Sequence, residues 1–391
     1  MTRPTLLVFC HLRWNFVYQR PQHLLTRLAA QFRVILLEEP LRCEGPAHLS
    51  SEQAAPGVEI LRPHTPLASW GFAGDQLALI GPLLHQALAQ RDVVEPVVWF
   101  YTPMALPLLE GLPALAVVYD CMDELSAFHG APPALRQLEA DLLARADLVL
   151  TGGPSLYEAK RERARRVVCL PSSVDAAHFA APSRSADADA QGVQGHIPGP
   201  RLGYFGVVDE RMDLALLDQV AAHDPTWQVV MVGPVVKIDP AQLPQRPNLH
   251  WLGQQPYALL PRLVADWQVC LLPFALNEST AFISPTKTLE YLAARKPVVS
   301  TAVRDVQLLY GSAVQVADSA GAFIDACSAA LTESDDQRAA RLSAGAALVA
   351  SGSWDRSAER VAQAVWLVIR EATSAANDNH ASNTRSSSQP A

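Results

Sequence analysis

The feature that most constrains the fold is the alternation of short apolar runs with helical patterns along the whole chain. Runs such as 6–10 and 97–101 are short and rich in β-branched and aromatic residues, which is typical of buried strands. Stretches such as 75–90 and 133–145 carry apolar residues at helical spacing between those runs. Strands that alternate with helices in this way predict βαβ units and a mainly parallel sheet.

The length of the chain predicts two domains. A chain of 391 residues is longer than one ordinary domain and suits two α/β domains. Segment 181–200 is rich in Ala, Asp, Gly, Ser and Pro and reads as a linker. The predicted organisation is an N-terminal domain over 1–180, that linker, a second domain over 201–353, a C-terminal helix over 354–372 that is a candidate to cross back to the first domain, and a disordered tail over 373–391.

Charge and cysteine usage exclude several classes of protein. A net charge of −8 argues against a nucleic-acid partner, which would need a basic domain. The six cysteines have neither metal-ligand nor redox spacing, which predicts reduced thiols and a cytoplasmic protein. No apolar stretch reaches the length of a membrane span, and the N-terminal apolar run is too short for a signal peptide. Any membrane contact is therefore expected to be peripheral.

The run F-I-S-P-T-K-T-L-E-Y-L-A-A-R-K-P-V-V-S-T over 282–301 predicts a polar loop, a helix and a strand. A helix N-terminus offers unpaired N–H groups and partial positive charge to a phosphate. Lys287 adds a cation to that position, and Ser284 and Thr286 add hydroxyl groups. Glu290, one turn further on, can accept hydrogen bonds from ribose or sugar hydroxyls. The run indicates a nucleotide-sugar site, with an ordinary Thr-capped helix as the alternative.

This run resembles the donor-site motif of GT-B glycosyltransferases, especially family 4, and the matching loop of xanthan-type glucuronosyltransferases. Segments 14–25 and 119–128 are similar to the W-x-x-x-x-Q-R-P-(Q/H)-H-L and Y-D-x-x-D signatures of a bacterial subgroup related to teichuronic-acid biosynthesis glycosyltransferases. Segments 170–179 and 203–213 resemble the family's elements at the end of the first domain and the start of the second. The resemblance implies the GT-B fold, with two Rossmann-like domains whose parallel sheets face an interdomain cleft.

The resemblance also implies which residues bind the donor. These are Ser284, Thr286, Lys287, Thr288, Glu290, Arg211, Gly206 and Asn277. The chain departs from the family in two places. Phe282 stands where the first of two glutamates is usual, and the loop after Gly206 has Val207 and Met212 near the usual Arg and Lys. Arg211 and Lys287 are therefore expected to share the diphosphate.

The catalytic and acceptor-binding candidates lie in the first domain. A base must take the proton of the acceptor hydroxyl if the reaction inverts the anomeric centre, which the sequence leaves open. Asp123 is the predicted base, and Asp120 is predicted to orient it or to act as the base in its place. The alternative for either residue is that it only caps the following helix. His23 is a candidate to contact the donor phosphate or the acceptor. Trp14, Arg20 and Gln22 are candidates for acceptor binding, and packing is the alternative. No convincing Asp-x-Asp motif is present, so we expect neither metal nor other cofactor.

A basic stretch, K-R-E-R-A-R-R over 160–166, predicts a charged helix face in this acidic protein. A solvated surface is the favoured interpretation. Attraction to anionic lipid head groups is the alternative.

The sequence thus predicts a cytoplasmic glycosyltransferase, with the inner face of the cell membrane as a candidate location. It would move a hexose or uronic acid from a UDP-sugar to a glycan or lipid-linked acceptor in bacterial surface polysaccharide synthesis. A nucleotide-sugar epimerase on the same fold is one alternative, and a catalytically silent scaffold, suggested by Phe282, is another. A dehydrogenase is disfavoured because no G-x-G-x-x-G follows a strand.

Overall fold

The computed structural model describes residues 3–180 and 188–386, which divide into two compact units. The first unit comprises the described parts of Met1–Ser126, Gly130–Leu170 and Asp355–Ala391. The second unit comprises Ala127–His129 and the described part of Pro171–Trp354.

The first unit is built around a nine-stranded sheet. Its elements in chain order are β1 (Thr5–Cys10), α1 (Arg20–Leu28), β2 (Arg33–Glu38), β3 (Leu41–Arg42), β4 (His48–Ala55), β5 (Val58–Thr65), α2 (Gly74–Ala89), β6 (Val97–Phe100), β7 (Ala116–Cys121), α3 (Leu135–Arg145), β8 (Leu148–Thr151), α4 (Pro154–Lys160) and β9 (Val167–Cys169). The strand order is β3-β5-β2-β1-β6-β7-β8-β9, and β4 pairs with β5. Every pairing except β4 with β5 is parallel.

The second unit contains a six-stranded sheet. Its elements are α5 (Ala176–Phe179), α6 (Ala188–Gln194), β10 (Arg201–Phe205), α7 (Leu214–His223), β11 (Gln228–Val232), β12 (Leu249–Trp251), α8 (Leu260–Ala265), β13 (Val269–Leu272), α9 (Lys287–Ala293), β14 (Val298–Thr301), α10 (Arg304–Tyr310), β15 (Gln315–Ala317), α11 (Ala320–Leu331) and α12 (Asp335–Ser351). The order β12-β11-β10-β13-β14-β15 is wholly parallel. The α/β prediction with parallel sheets is confirmed.

The central strands are apolar along their whole length. Every residue of β6, β11 and β13 is buried, as expected of parallel strands that helices cover on both faces. In such sheets the side chains that bind ligands lie in the loops after the carboxyl ends of the strands. Those loops are the ones that the sequence motifs occupy in both units.

The boundary between the units lies at Leu170 and Pro171, whereas the sequence places it at 180. The segment after Pro171 packs with the second unit. The N–H of Val174 donates to the carbonyl oxygen of Gly352 at 2.7 Å, and the ring of His178 stacks on Tyr257 at 4.2 Å.

The predicted linker over 181–200 is partly ordered. Residues 181–187 lie outside the described residues, but α6 follows them directly. Gln194 of α6 is fully buried. Its Nε2 donates to the carbonyl oxygen of Leu263 at 2.9 Å, and its Oε1 accepts from Nε1 of Trp267 at 3.0 Å. The composition predicts a linker because the buried residues of this segment, Ala190, Gln194 and Ile197, are too few to give an apolar pattern.

The last helix, α13 (Trp354–Ser386), is longer than the predicted 354–372. It packs on the first unit through Trp366, which stacks on Phe32 with 5.3 Å between ring centroids. Nη2 of Arg166 lies 2.8 Å from Oε1 of Glu371. Residues 373–386 are helical where the sequence predicts a disordered tail, because they continue a helix that the preceding packed turns have already begun.

The basic stretch over 160–166 does not form a helix face. Helix α4 ends at Lys160, whose side chain is buried and bonded to two carboxylates. Residues 161–165 form turns and bends. The prediction of a basic helical patch is wrong because the first cation of the stretch points into the core.

No helix in the described part of the chain combines the length and the apolar character that a membrane crossing requires.

Candidate functional site

Lys287 lies directly over the backbone at the end of β10. Gly206, the residue after β10, has a φ of +139°, and a Cβ there would overlap Cε of Lys287. Nζ of Lys287 is 5.7 Å from the ring centroid of Tyr204. Only glycine allows this approach, because it has no Cβ and adopts positive φ without strain. The first residue of α9 and the loop after β10 therefore form one continuous surface.

A second glycine extends that surface to the next strand. Gly233 follows β11 with a φ of +148°, and a Cβ there would overlap the carbonyl oxygen of Gly206. The N–H of Gly206 donates to the carbonyl oxygen of Val232 at 2.8 Å, and the N–H of Gly233 donates to that of Gly253 at 2.8 Å. The ends of two adjacent strands are thus packed backbone to backbone, next to the glycine that Lys287 covers. Close approach of backbone to a bound phosphate is a common use of such glycines.

Glu290 follows Lys287 by one turn of α9 and is only 5% exposed. Burial raises the pKa of Glu290 to about 7, and the charge of Lys287 opposes that rise. Within residues 3–180 and 188–386, no group donates a hydrogen bond to its carboxylate. A buried carboxyl group without an internal donor is suited to accept hydrogen bonds from a ligand.

The hydroxyl groups around α9 divide into two kinds. Thr286 donates from Oγ1 to Oγ of Ser172 at 3.3 Å, and Ser172 donates to the carbonyl oxygen of Ser284 at 2.9 Å. These bonds hold the loop before α9 in place. Oγ of Ser284 and Oγ1 of Thr288 are buried, and they have no hydrogen-bond partner in the described parts of the chain.

Arg211 is held by an aspartate of its own loop. Its Nε lies 2.9 Å from Oδ1 of Asp209, and its Nη2 lies 2.6 Å from Oδ2. This bidentate pair already uses much of the guanidinium charge that the sequence assigns to the diphosphate. Arg211 therefore has less charge available for a diphosphate than the sequence predicts.

The same loop contains Glu210, which the sequence analysis missed. Both of its carboxylate oxygens are buried, and neither has a hydrogen-bond partner among the described residues. The charged triplet that follows β10, Asp209-Glu210-Arg211, is the signal that could have pointed to it.

Asn277 has a local role in the loop after β13. Its Oδ1 accepts hydrogen bonds from N and Oγ of Ser279, at 3.0 and 2.7 Å. Such a turn shapes the loop through the side-chain oxygen. The side-chain oxygen of Asn277 is therefore hydrogen-bonded within its own loop.

In the first unit, Arg20 and Asp120 form a buried ion pair. Nη2 of Arg20 lies 2.8 Å from Oδ1 of Asp120, and Nη1 donates to the carbonyl oxygen of Leu170 at 2.8 Å. Asp120 has no exposed surface and Arg20 is 5% exposed. Burial raises the pKa of Asp120, and Arg20 opposes that rise. In this structure the pair joins the two sequence signatures at 14–25 and 119–128 and offers neither side chain to a ligand.

We expect Asp120→Asn to destabilise the first unit by about 3 kcal/mol, because Arg20 is left as a buried cation without a counter-charge. Urea denaturation followed by circular dichroism measures this change. The exposed ion pair of Arg27 with Asp355, 2.5 Å apart, provides the control, and Asp355→Asn should cost less than about 1 kcal/mol. Equal losses in the two variants would show that the buried pair has no special role.

The other residues of the signature at 14–25 are also hydrogen-bonded or buried. Nε2 of Gln22 donates to the carbonyl oxygens of Trp14 and Val17, at 2.8 and 3.0 Å, so this amide closes the preceding loop. His23 is 1% exposed, and Tyr18 packs edge-on against its ring at 4.6 Å. Trp14 is half-buried, and its N–H donates to Oε1 of Glu38 at 2.8 Å.

Asp123 follows β7 and is half-buried. Of the three predicted catalytic residues, it has the largest exposed surface, since Asp120 and His23 are buried. Among the described residues, no group of three or more His, Cys, Asp or Glu side chains is arranged to hold a metal ion.

Part of the chain matches a known protein family. Residues 199–333, which contain Gly206 and Lys287, match the family model described as glycosyl transferases group 1. The putative teichuronic acid biosynthesis glycosyltransferase TuaH of Bacillus subtilis is 25% identical over 281 residues, which cover 66% of this chain and 69% of that protein.

Solved structures share the architecture at low identity. Sucrose-phosphate synthase of Thermosynechococcus elongatus has a TM-score of 0.75 at 16% identity, covering 94% of this chain and 100% of that one. HepE of Anabaena, solved in complex with UDP-glucose, has a TM-score of 0.68 at 13% identity, covering 93% and 99%. Alpha,alpha-trehalose 6-phosphate synthase of Burkholderia multivorans has a TM-score of 0.64 at 13% identity, covering 96% and 100%.

The six cysteines form no disulfide within the described residues. The matched domain, the teichuronic-acid relative and the shared architecture indicate a glycosyltransferase with the GT-B fold.

Proposed function

We propose that this glycosyltransferase uses a UDP-sugar and transfers a hexose or uronic acid to a glycan or lipid-linked acceptor in bacterial surface polysaccharide synthesis. The UDP donor is supported by HepE, which has been solved with UDP-glucose bound. The acceptor class is supported by the teichuronic-acid relative. The reaction would take place in the cytoplasm, with peripheral contact at the inner face of the membrane for a lipid-linked acceptor.

The observation that carries the donor proposal is the position of Lys287 over Gly206. As the bond from the sugar to the diphosphate breaks, negative charge develops on the leaving oxygen. An ammonium held over bare backbone stabilises that charge without reorganisation. Glu290 then accepts from ribose hydroxyls, and Thr288 supplies a buried hydroxyl donor beside it. We expect these residues to bind the diphosphate without metal.

Asp123 is proposed as the base for an inverting transfer. It would accept the proton of the acceptor hydroxyl as that oxygen attacks the anomeric carbon. Arg20 and Asp120 then support the structure of the first unit, and Gln22 closes the loop that contains Trp14.

Three experiments test the function as a whole. Calorimetric titration with UDP should show binding, since a silent scaffold would bind none. Incubation with UDP-glucose or UDP-glucuronate and no acceptor should release UDP slowly. Rapid release of UDP without an acceptor would instead favour the epimerase alternative. Stimulation of UDP release by membrane lipid extracts would support a lipid-linked acceptor.

The raised pKa of Glu290 gives a pH-dependent prediction. With a pKa of about 7, most of this carboxyl group is protonated at about pH 6. Ribose hydroxyls that donate to it favour the ionised form, so UDP binding should release a proton. If only that form binds, affinity rises about tenfold from about pH 6 to about pH 8.

Calorimetry in two buffers of different ionisation enthalpy measures the released proton. Glu290→Gln is the control, because it keeps the shape of the side chain and cannot titrate. The difference in proton release between the two proteins is the contribution of Glu290, because the phosphate of UDP contributes equally to both. Identical proton release in both proteins would rule out Glu290 as the ribose ligand.

A further inference from the structure

A buried lysine beside the proposed catalytic loop has a role that the sequence motifs do not indicate. Lys160 is the last residue of α4 and is 1% exposed. Its Nζ lies 2.6 Å from Oε2 of Glu124 and 2.8 Å from both carboxylate oxygens of Glu139. Burial alone would lower the pKa of Lys160, but the neighbouring acidic groups raise it above its usual value. The ammonium therefore stays charged.

The two carboxylates belong to different parts of the first unit. Glu139 is a residue of α3 and also accepts a hydrogen bond from the hydroxyl of Tyr119 at 3.0 Å. Tyr119 is buried on β7, an inner strand that pairs with β6 and β8. Glu124 lies outside regular structure, in the loop that follows β7. Lys160 thus connects a fixed point in the core with a loop.

That loop is held on both sides of Asp123. Before it, Met122 packs against Gly152, where a Cβ would lie 2.5 Å from the carbonyl oxygen of Met122. After it, Oε1 of Glu124 accepts a hydrogen bond from Oγ of Ser126 at 2.8 Å, while Oε2 binds Lys160. Asp123 is the half-buried residue between these two fixed neighbours.

A buried ion pair is a poor way to gain stability, because removing both charges from water costs as much as their attraction returns. An apolar residue at 160 would fill the same space. A charged pair, in contrast, fixes the direction and distance of its partner. This is the property that a loop with a catalytic carboxylate needs, since small displacements of a catalytic group slow the reaction strongly.

We propose that Lys160 and Glu124 are positioning residues that hold the loop after β7, so that Asp123 is fixed in the orientation needed to accept the proton. The proposal rests on the role of Asp123 given under the proposed function. Whether Lys160 and Glu124 hold the loop does not depend on that role and is measured separately.

Two alanine variants distinguish the contact of Lys160 with the loop from its contact with the core. Glu124→Ala breaks the bond from Lys160 to the loop and leaves Lys160 paired with Glu139. Glu139→Ala removes the other carboxylate of the same ammonium and leaves the loop attached. Amide hydrogen exchange over 121–127 should become about tenfold faster in Glu124→Ala and change less than about twofold in Glu139→Ala. The peptide over 287–293 should be unchanged in both.

Turnover provides the second readout. With UDP-glucose as donor and water as acceptor, Glu124→Ala should lower kcat about tenfold and leave KM for UDP-glucose unchanged. A merely structural residue would lower the melting temperature without separating kcat from KM. If Glu139→Ala does not fold, Glu139→Gln replaces it, because the amide keeps the side-chain shape.

The outcomes of the two readouts are distinct. Unchanged exchange over 121–127 in Glu124→Ala would overturn the proposal, whatever the activity. Faster exchange with unchanged kcat would also overturn it, because the loop would then not position the reacting group. Absence of turnover in the wild-type protein would instead contradict the proposed function, and the exchange data would still decide whether Lys160 holds the loop.

Discussion

Lys287→Ala is expected to weaken binding of UDP and UDP-glucose by about 100-fold, because a charge-assisted contact to the diphosphate is lost. Arg211 is expected to compensate little, since Asp209 already binds its guanidinium in two places. Turnover at a saturating donor concentration should also fall, as the leaving diphosphate loses its cation. Calorimetric titration gives the affinity, and assay of released UDP gives the turnover.

Lys296→Ala is the matched control for this variant. Lys296 lies just beyond the other end of α9, and its Nζ donates to the carbonyl oxygens of Ala265 and Trp267, at 2.6 and 2.8 Å. Its loss should reduce stability and leave UDP affinity within about twofold of the wild-type value. If the two lysine variants bind UDP equally well, Lys287 is not the diphosphate ligand.

Asp123→Asn is expected to lower kcat by about 1,000-fold, because the amide cannot accept the proton of the attacking hydroxyl. Binding of UDP-glucose should be unchanged, since the proposed donor ligands are all in the second unit. The variant should also keep the stability of the wild-type protein, in contrast with Asp120→Asn. Calorimetry, denaturation and assay of UDP release measure these three quantities on the same preparation.

Normal turnover by Asp123→Asn would remove it as the base. A loss of UDP affinity together with kcat would point to a disturbed donor site and would equally contradict the assignment. The comparison with Glu124→Ala is informative here, because a displaced base should cost less than an absent one.

The fold could be predicted from the sequence because its signals are local. The apolar runs at 6–10 and 97–101 predict β1 and β6, whose observed bounds, Thr5–Cys10 and Val97–Phe100, differ from them by one residue. The loop, helix and strand around α9 were also predictable. Lys287 and Glu290 lie in the helix, and Pro297 ends the helical pattern directly before β14.

Elements without an apolar pattern were not predictable in the same way. The strand β4 has the sequence HLSSEQAA and no buried residue. Although it pairs with β5, its sequence lacks the alternation of apolar and polar residues that predicts a strand. The order at 188–194 depends on buried Ala190 and on Gln194 with its two tertiary hydrogen bonds, and these residues give no apolar pattern.

The roles of the signature residues depend on contacts that are distant in the chain. Arg20 and Asp120 are 100 positions apart, and neither motif alone shows that each provides the counter-charge of the other. The cation of Lys160 was expected at the surface because nothing near it in sequence shows that Glu124 and Glu139 surround it. Long-range pairing of charges is a property of the tertiary structure, and a single sequence does not record it.

The crystal structure of the protein soaked with UDP-glucose tests the central claim most directly. We predict that the diphosphate lies within hydrogen-bonding distance of Nζ of Lys287, against the backbone of Gly206, and that the ribose hydroxyls face Glu290. A nucleotide bound elsewhere on the second unit, with Lys287 still over Gly206 and no phosphate beside it, would contradict the account.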